Sequence, residues 1–182
     1  MSKGILSVGI VLVSLLLLAG CAAPAPPDGD EAKAASNGEK PKPGEPRVAP
    51  PFTLARIGGG DEVSLADSDG RIRLVDFWTT WCPPCREEIP MLNELQETYG
   101  DRGFDIIAIS PEEPGILEEF QADHPVVYTS LVGNEDLVHE YGALGYPTAF
   151  LIDGEGYVVD FFFGPKPRSV LEAKIEELLS AS

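Results

Sequence analysis

Two cysteines separated by two prolines, in WTTWCPPCREEIP at residues 78–90, are the part of this sequence best equipped for chemistry. Thiols at this spacing admit three uses: a structural staple, half of a metal site, or a dithiol that exchanges electrons with other proteins. The staple is a weak reading, because a two-residue spacer removes little chain entropy from the unfolded state. Zinc asks for about four ligands. Beyond Cys82 and Cys85 only His124 and His139 remain, far along the chain, and both read as surface residues. No metal and no cofactor beyond a redox-active Cys82–Cys85 disulfide is expected.

The exchange reading draws on where the pair falls. Cys82 follows the apolar run Arg71 to Trp78 and precedes a helical pattern, so its sulfur should meet unpaired N–H groups and the positive end of a helix dipole. A thiolate is stabilised there, with a pKa below the free value of ~8.5, which makes Cys82 the nucleophile. Pro83 and Pro84 suit a first helical turn. Cys85, one turn on and expected deeper, is placed to resolve a mixed disulfide by attacking Cys82.

The elements that must hold this pair are legible from periodicity. Phe52 to Ala55 and Glu62 to Leu65, around Gly58-Gly59-Gly60, read as a hairpin, and Arg71 to Trp78 as a buried central strand. Ile89, Leu92, Leu95 and Tyr99 recur at helical spacing up to Gly100, with Pro90 expected to kink that helix. Phe104 to Ser110 and Val126 to Leu131 read as strands, Pro114 to Ala122 and Asn134 to Tyr141 as helices, the latter capped by Asn134. Thr148 to Asp153 and Tyr157 to Phe163 form a second hairpin, and Ser169 to Leu179, with Val170, Leu171, Ile175, Leu178 and Leu179, an amphipathic last helix. Alternating strands and helices closed by a hairpin and helix imply an α/β fold with a mixed central sheet.

The rest of the chain bears on location. Lys3 precedes an apolar run, Ile5 to Leu18, too short for the ~20 residues of a membrane span. It ends in Leu18-Ala19-Gly20-Cys21, which resembles a lipobox, so residues 1–20 read as a signal peptide and Cys21 as a lipidated membrane anchor. One cysteine committed to lipid leaves one pair and no spare. Residues 21–50, with seven prolines after Cys21 and no apolar periodicity, read as a disordered tether, and residues 51–182 as one domain. That domain holds 25 acidic against 8 basic residues, a net charge of −17, which makes nucleic acid an unsuitable partner and reads either as solubility or an acidic, salt-adapted proteome, or as a field that steers basic protein partners to the site.

LVDFWTTWCPPC, the five-residue step from Cys85 to Pro90, and GYPTAFLID together resemble the thioredoxin superfamily. The signal and tether, the first hairpin, and EEIP after the cysteines are similar to its membrane-anchored TlpA/ResA-like branch. The resemblance implies a thioredoxin-like fold, a mixed β-sheet flanked by helices with an N-terminal β-hairpin. It also implies that Tyr146-Pro147-Thr148 is the cis-proline loop that pairs with bound substrate beside the CxxC, with Trp81 at the rim. Asp76, six residues before Cys82, stands where thioredoxins keep a buried carboxylate that exchanges protons with the second cysteine. Glu88 matches the acidic residue that the ResA-like branch carries three positions after that cysteine. Relatives of this branch often have Asn at the position of Asp76, so here two acids compete for the proton.

The implied activity is that of a monomeric, lipid-anchored thiol–disulfide oxidoreductase of the cell envelope, outside the cytoplasm. It would reduce protein disulfides, with the CxxCH cysteines of apocytochrome c as the family's substrate, and be re-reduced by a membrane thiol donor. Ala22 leaves outer-membrane sorting open. The rival readings are a general envelope reductase or oxidase, a redox-inert binding lipoprotein on the same scaffold, and a peroxiredoxin-like peroxidase. Thr79 and Cys82 supply the TxxC of the last, but Val75 stands where it needs proline.

Overall fold

The structure, a computed structural model, describes residues 47–181. The signal peptide, Cys21 and the tether up to residue 46 lie outside the described residues. Fourteen elements follow in chain order, and the sequence's alternation of apolar runs and helical stripes accounts for nearly all of them.

A short strand β1 (Arg47–Val48) precedes the hairpin of β2 (Thr53–Leu54) and β3 (Val63–Ser64), followed by a 3-10 turn at Leu65–Ser68. Strand β4 (Ile72–Phe77) is buried at every position. Helix α1 (Pro83–Tyr99) runs through Pro90 without a break, and a second 3-10 turn (Gly100–Arg102) leads into β5 (Phe104–Ser110). Then come α2 (Pro114–Asp123), β6 (Thr129–Val132), α3 (Glu135–Tyr141), β7 (Thr148–Ile152), β8 (Tyr157–Phe163) and α4 (Arg168–Ala181). Asn134 caps α3 as expected, its Oδ1 accepting from the Leu137 N–H at 2.9 Å. Gly142, in the left-handed region at φ 78°, ends that helix, a conformation that costs glycine least.

The main sheet runs β1-β8-β7-β4-β5-β6, and β2 and β3 pair apart from it. β4 lies parallel to β5 and antiparallel to β7, so the sheet is mixed. Alternation along β4 divides the core. Val75 and Phe77 join Ile107, Ile109, Phe150 and Tyr141 on one face, while Leu74 meets Leu92 and Leu95 of α1 and Leu171 and Ile175 of α4 on the other. The helix positions read from the sequence, Ile89, Leu92, Leu95 and Tyr99, are all buried, whereas Val170 of α4 is exposed. The carboxyl ends of β4 and β5 and the start of β7 meet at one edge of the sheet, since Phe77 is in register with both Ile109 and Thr148. In open α/β sheets that edge is where sites form.

One boundary differs from the sequence reading. Residues 47–50, expected in the tether, are part of the domain. β1 pairs with β8, Ala49 is buried, and the Ala49 N–H donates to the Gly156 carbonyl at 2.9 Å. Arg47 lies over the Phe150 ring and donates to the carbonyls of Glu140 and Tyr141, while the Tyr141 hydroxyl donates to the Pro50 carbonyl at 2.8 Å. A proline-rich composition hid these long-range partners. A domain cut at Pro51 is therefore expected to lose about 2–4 kcal/mol against one that begins before Arg47, from the hydrogen bonds and the cation–π contact removed. Urea midpoints of the two chains measure the difference.

Candidate active site

Cys82 and Cys85 are joined in a disulfide at the start of α1. The local sequence dictates this placement: β4 ends at Phe77, the TTW segment turns, and Pro83 and Pro84 enter the helix where their missing N–H groups cost nothing. Cys82 is the N-cap, and its Sγ accepts from the Cys85 N–H at 3.3 Å. That contact occupies the position a capping oxygen usually takes, so a thiolate formed on reduction would face the helix N-terminus. The expected difference in depth is not seen: Cys82 is 3% exposed and Cys85 4%. Ala108 of β5 and Leu117 of α2 pack with the pair and with Trp78, and Phe120 lies against this cluster.

The preceding turn is held by Glu112, a residue the sequence analysis did not single out. Its carboxylate accepts from the Thr80 N–H at 2.6 Å, from the Thr80 hydroxyl at 2.8 Å and from the Ser110 hydroxyl at 3.2 Å. No spacing rule links residue 112 to residue 80; the parallel pairing of β4 and β5 does so by bringing their carboxyl ends side by side.

The opposite wall is the loop before β7. The Tyr146–Pro147 peptide bond is cis, Pro147 and Thr148 are buried, and the Thr148 hydroxyl donates to the Gly145 carbonyl at 2.6 Å. The Tyr146 ring stands edge-on to Trp81, 5.8 Å between centroids. Trp81 is 66% exposed, a rim residue, whereas Trp78 is buried. Burial, with Glu135 and Glu112 nearby, pushes the Tyr146 hydroxyl up to about 12, so it remains a neutral donor at physiological pH.

The two acids come together around one lysine. Asp76 is 3% exposed and Glu88 6%, and a third residue, Lys166, bridges them. Its Nζ lies 2.9 Å from Asp76 Oδ1 and 2.8 Å from Glu88 Oε2, and its backbone N–H donates to Glu88 Oε1 at 2.5 Å. Burial raises the pKa of both carboxyls, and the Lys166 charge opposes that rise. Burial alone would lower Lys166, but Asp76 and Glu88 outweigh it and hold the ammonium above its usual value. Lys166 was not anticipated: in FGPKPR it is an unremarkable loop lysine, with no spacing to either acid that a sequence reveals. His124 stacks on Phe120, and neither it nor His139 reaches the site's hydrogen-bond network.

The arrangement can do one kind of chemistry well. A nucleophile position at a helix start, a second sulfur one turn on, two buried carboxyls bridged by Lys166 and an exposed aromatic rim beside a buried proline loop together suit exchange of a disulfide with another chain.

Comparison with known proteins agrees. Residues 46–161 match the AhpC/TSA family. The thiol-disulfide oxidoreductase ResA of Bacillus thuringiensis is 32% identical over 137 residues, 72% of this chain and 77% of its own. The thioredoxin-like protein YneN of Bacillus subtilis is 28% identical over 136 residues, 72% of this chain and 79% of its own. Among solved structures, a thiol:disulfide interchange protein of the thioredoxin family from Chlorobium tepidum superposes with a TM-score of 0.68 at 29% identity, over 74% of this chain and 97% of that one. With its Cys82–Cys85 disulfide, the chain belongs to the thioredoxin-like AhpC/TSA family and is a ResA/TlpA-like thiol-disulfide oxidoreductase.

Proposed function

We propose that this oxidoreductase works as a reductant outside the cytoplasm, anchored to a membrane through lipid on Cys21. The observation that carries the reading is a disulfide set at the start of α1 and flanked by the exposed Trp81 and the Tyr146-Pro147-Thr148 loop. In the reduced protein the Cys82 thiolate attacks a disulfide of the substrate, one sulfur of which leaves as a thiolate. The Cys85 thiol then loses its proton, attacks Cys82 Sγ and releases the second substrate thiol. The protein is left oxidised, in the state the structure holds, and a membrane thiol donor restores it. Trp81 and Tyr146 offer an apolar edge to an extended substrate segment, and Thr148 begins a strand beside it.

The substrate class that best fits the resemblance is the CxxCH segment of apocytochrome c before haem attachment. The acidic domain supports a basic partner of this kind by steering the encounter. The pairing of β1 also supports the reading. Arg47 pairs with Val158 and Val48 with Tyr157, at the end of β8 remote from Phe163, which is in register with Thr148. β1 thus lies about 17 Å along the strand from the dithiol end, at ~3.3 Å per residue. A tethered monomer would keep that end free for substrate.

Two measurements test this. A Cys85→Ser chain should accumulate mixed disulfides through Cys82, with an apocytochrome among the trapped partners, while Cys82→Ser should trap none. Traps that hold other envelope proteins and no apocytochrome would remove the proposed substrate. The equilibrium reduction potential against a defined thiol buffer should fall near the roughly −270 mV of thioredoxin; a value near roughly −120 mV would reverse the direction to disulfide formation.

A further inference from the structure

Strand β8 has two unlike faces. Asp160 pairs with Lys174 of α4, and Phe162 packs against the core cluster that holds Leu171 and Ile175. Val159, Phe161 and Phe163 alternate with them and are exposed, Phe161 by 64% and Phe163 by 67%. The strand also has an open edge. β1 pairs with it only at Tyr157 and Val158, so among the described residues no strand lies beside residues 159–163 on that side. The Gly164 N–H donates to the Pro147 carbonyl at 2.9 Å, on the β7 side, and the alternation of an antiparallel ladder then turns the main chain of Phe161 and Phe163 outward. The Phe161 N–H accordingly donates to Asp160 Oδ1 at 2.8 Å, a guard of the kind that keeps an edge from indiscriminate pairing. This edge runs into the site described above. The Phe163 ring lies against Gly145, where an added Cβ would stand 3.5 Å from it, and the neighbouring Leu144 is 90% exposed. Gly145 leads directly into Tyr146 and the cis-proline, and the Tyr146 ring meets Trp81.

We infer that the open edge of β8, with Phe161, Phe163 and Leu144, is a second docking surface for the substrate protein. It takes an unfolded, extended segment of that protein with bulky apolar residues at alternate positions near the reactive cysteine. Added beside β8 as a strand, such a segment sets its residues i and i+2 on the face of Phe161 and Phe163, at the same spacing of about 7 Å. Apolar cross-strand pairs then form on a face that is otherwise left to water. Strand addition needs free backbone, so the surface of a folded protein is a poorer occupant. Continuity with Trp81 and Tyr146 favours the substrate over a second copy of this chain, and two further facts disfavour the copy. The domain carries a net charge of −17, so two copies repel, and residues 159–163 with one leucine fall well short of the roughly 20 residues a side of a stable dimer. The chain's own residues before Arg47 are ill-suited as well, since Pro41, Pro43 and Pro46 lack the N–H that a strand partner donates.

The docking surface rests on dithiol exchange at Cys82 and Cys85, not on the direction or the apocytochrome substrate proposed above. The test uses the reduced full chain and two kinds of probe. One is the aromatic bis-nitrobenzoate disulfide, which asks for exchange alone. The other is a set of short peptides whose single cysteine carries one nitrothiolate, released as colour on exchange. A Leu-X-Leu pair is moved through positions on both sides of that cysteine and compared with Ser-X-Ser at the same places. At the best position the wild type should half-saturate at about 10-fold lower concentration of the leucine peptide, with the limiting rate unchanged. Methylating alternate backbone nitrogens of that peptide, which breaks a strand ladder, should raise the half-saturating concentration; no change overturns strand addition. Phe161→Ser/Phe163→Ser should bring the ratio of the two peptides to about 1, whereas Val170→Ser, exposed on α4, should keep the preference. The comparison of peptides on the wild type needs no variant to fold. Leucine and serine peptides that half-saturate alike at every position overturn the docking surface alone, as does a preference that survives in the double variant. A dimer in sedimentation equilibrium that the double variant dissolves gives the edge to a second copy and overturns it too. A wild type that releases no nitrothiolate from either probe overturns the exchange chemistry and the docking surface with it.

Discussion

The interaction on which the site depends is the ion triad of Asp76, Lys166 and Glu88. An ammonium with no exposure cannot be left unpaired, since the effective cost of burying an ion is several kcal/mol. That cost fixes three elements relative to one another: the central strand β4, the helix α1 that carries the cysteines, and the loop that launches α4. Removing one partner from such a buried set typically costs about 3–5 kcal/mol, because the others are then stranded. Replacing the triad by apolar side chains could be as stable, so what the triad contributes is the fixed placement of these three elements rather than net stability.

The triad lies where it does because of strand register. Asp76 is one residue before the end of β4 and projects to the face covered by α1 and α4, the face that Leu74 shares. The same register sets Phe77 level with Thr148 and Ile109. One sheet edge therefore delivers the helix start from β4, the Glu112 brace from β5 and the proline loop of β7. A slip by one residue on β4 would turn Asp76 to the other face and part it from Lys166.

Much of this was legible in the sequence, for physical reasons that differ by element. The apolar runs of β4 and β5 and the helical stripe of α1 announce themselves because burial imposes local periodicity. The dithiol is legible because its spacing, prolines and strand-to-helix position are all local. Tyr146, Pro147, Asp76 and Glu88 came only through resemblance, and their joint placement required the fold. Lys166 and Glu112 were silent. Each acts across a long sequence separation, 166 to 76 and 112 to 80, through contacts that leave no periodic trace. β1 was hidden for the opposite reason: its two residues sit in a proline-rich stretch whose composition argues for disorder, and pairing with β8 overrides it.

The two sulfurs are almost equally buried, so exposure cannot be what gives them different roles. Electrostatics can. Cys82 caps α1 and faces its N–H groups, the end of the helix dipole that favours negative charge. Cys85 is a turn inside the helix, where its N–H donates to Cys82 Sγ and its sulfur meets no free N–H end of the helix. The asymmetry between the two sulfurs is thus one of position, helix terminus against first turn, and it survives the enclosure of both sulfurs in the protein.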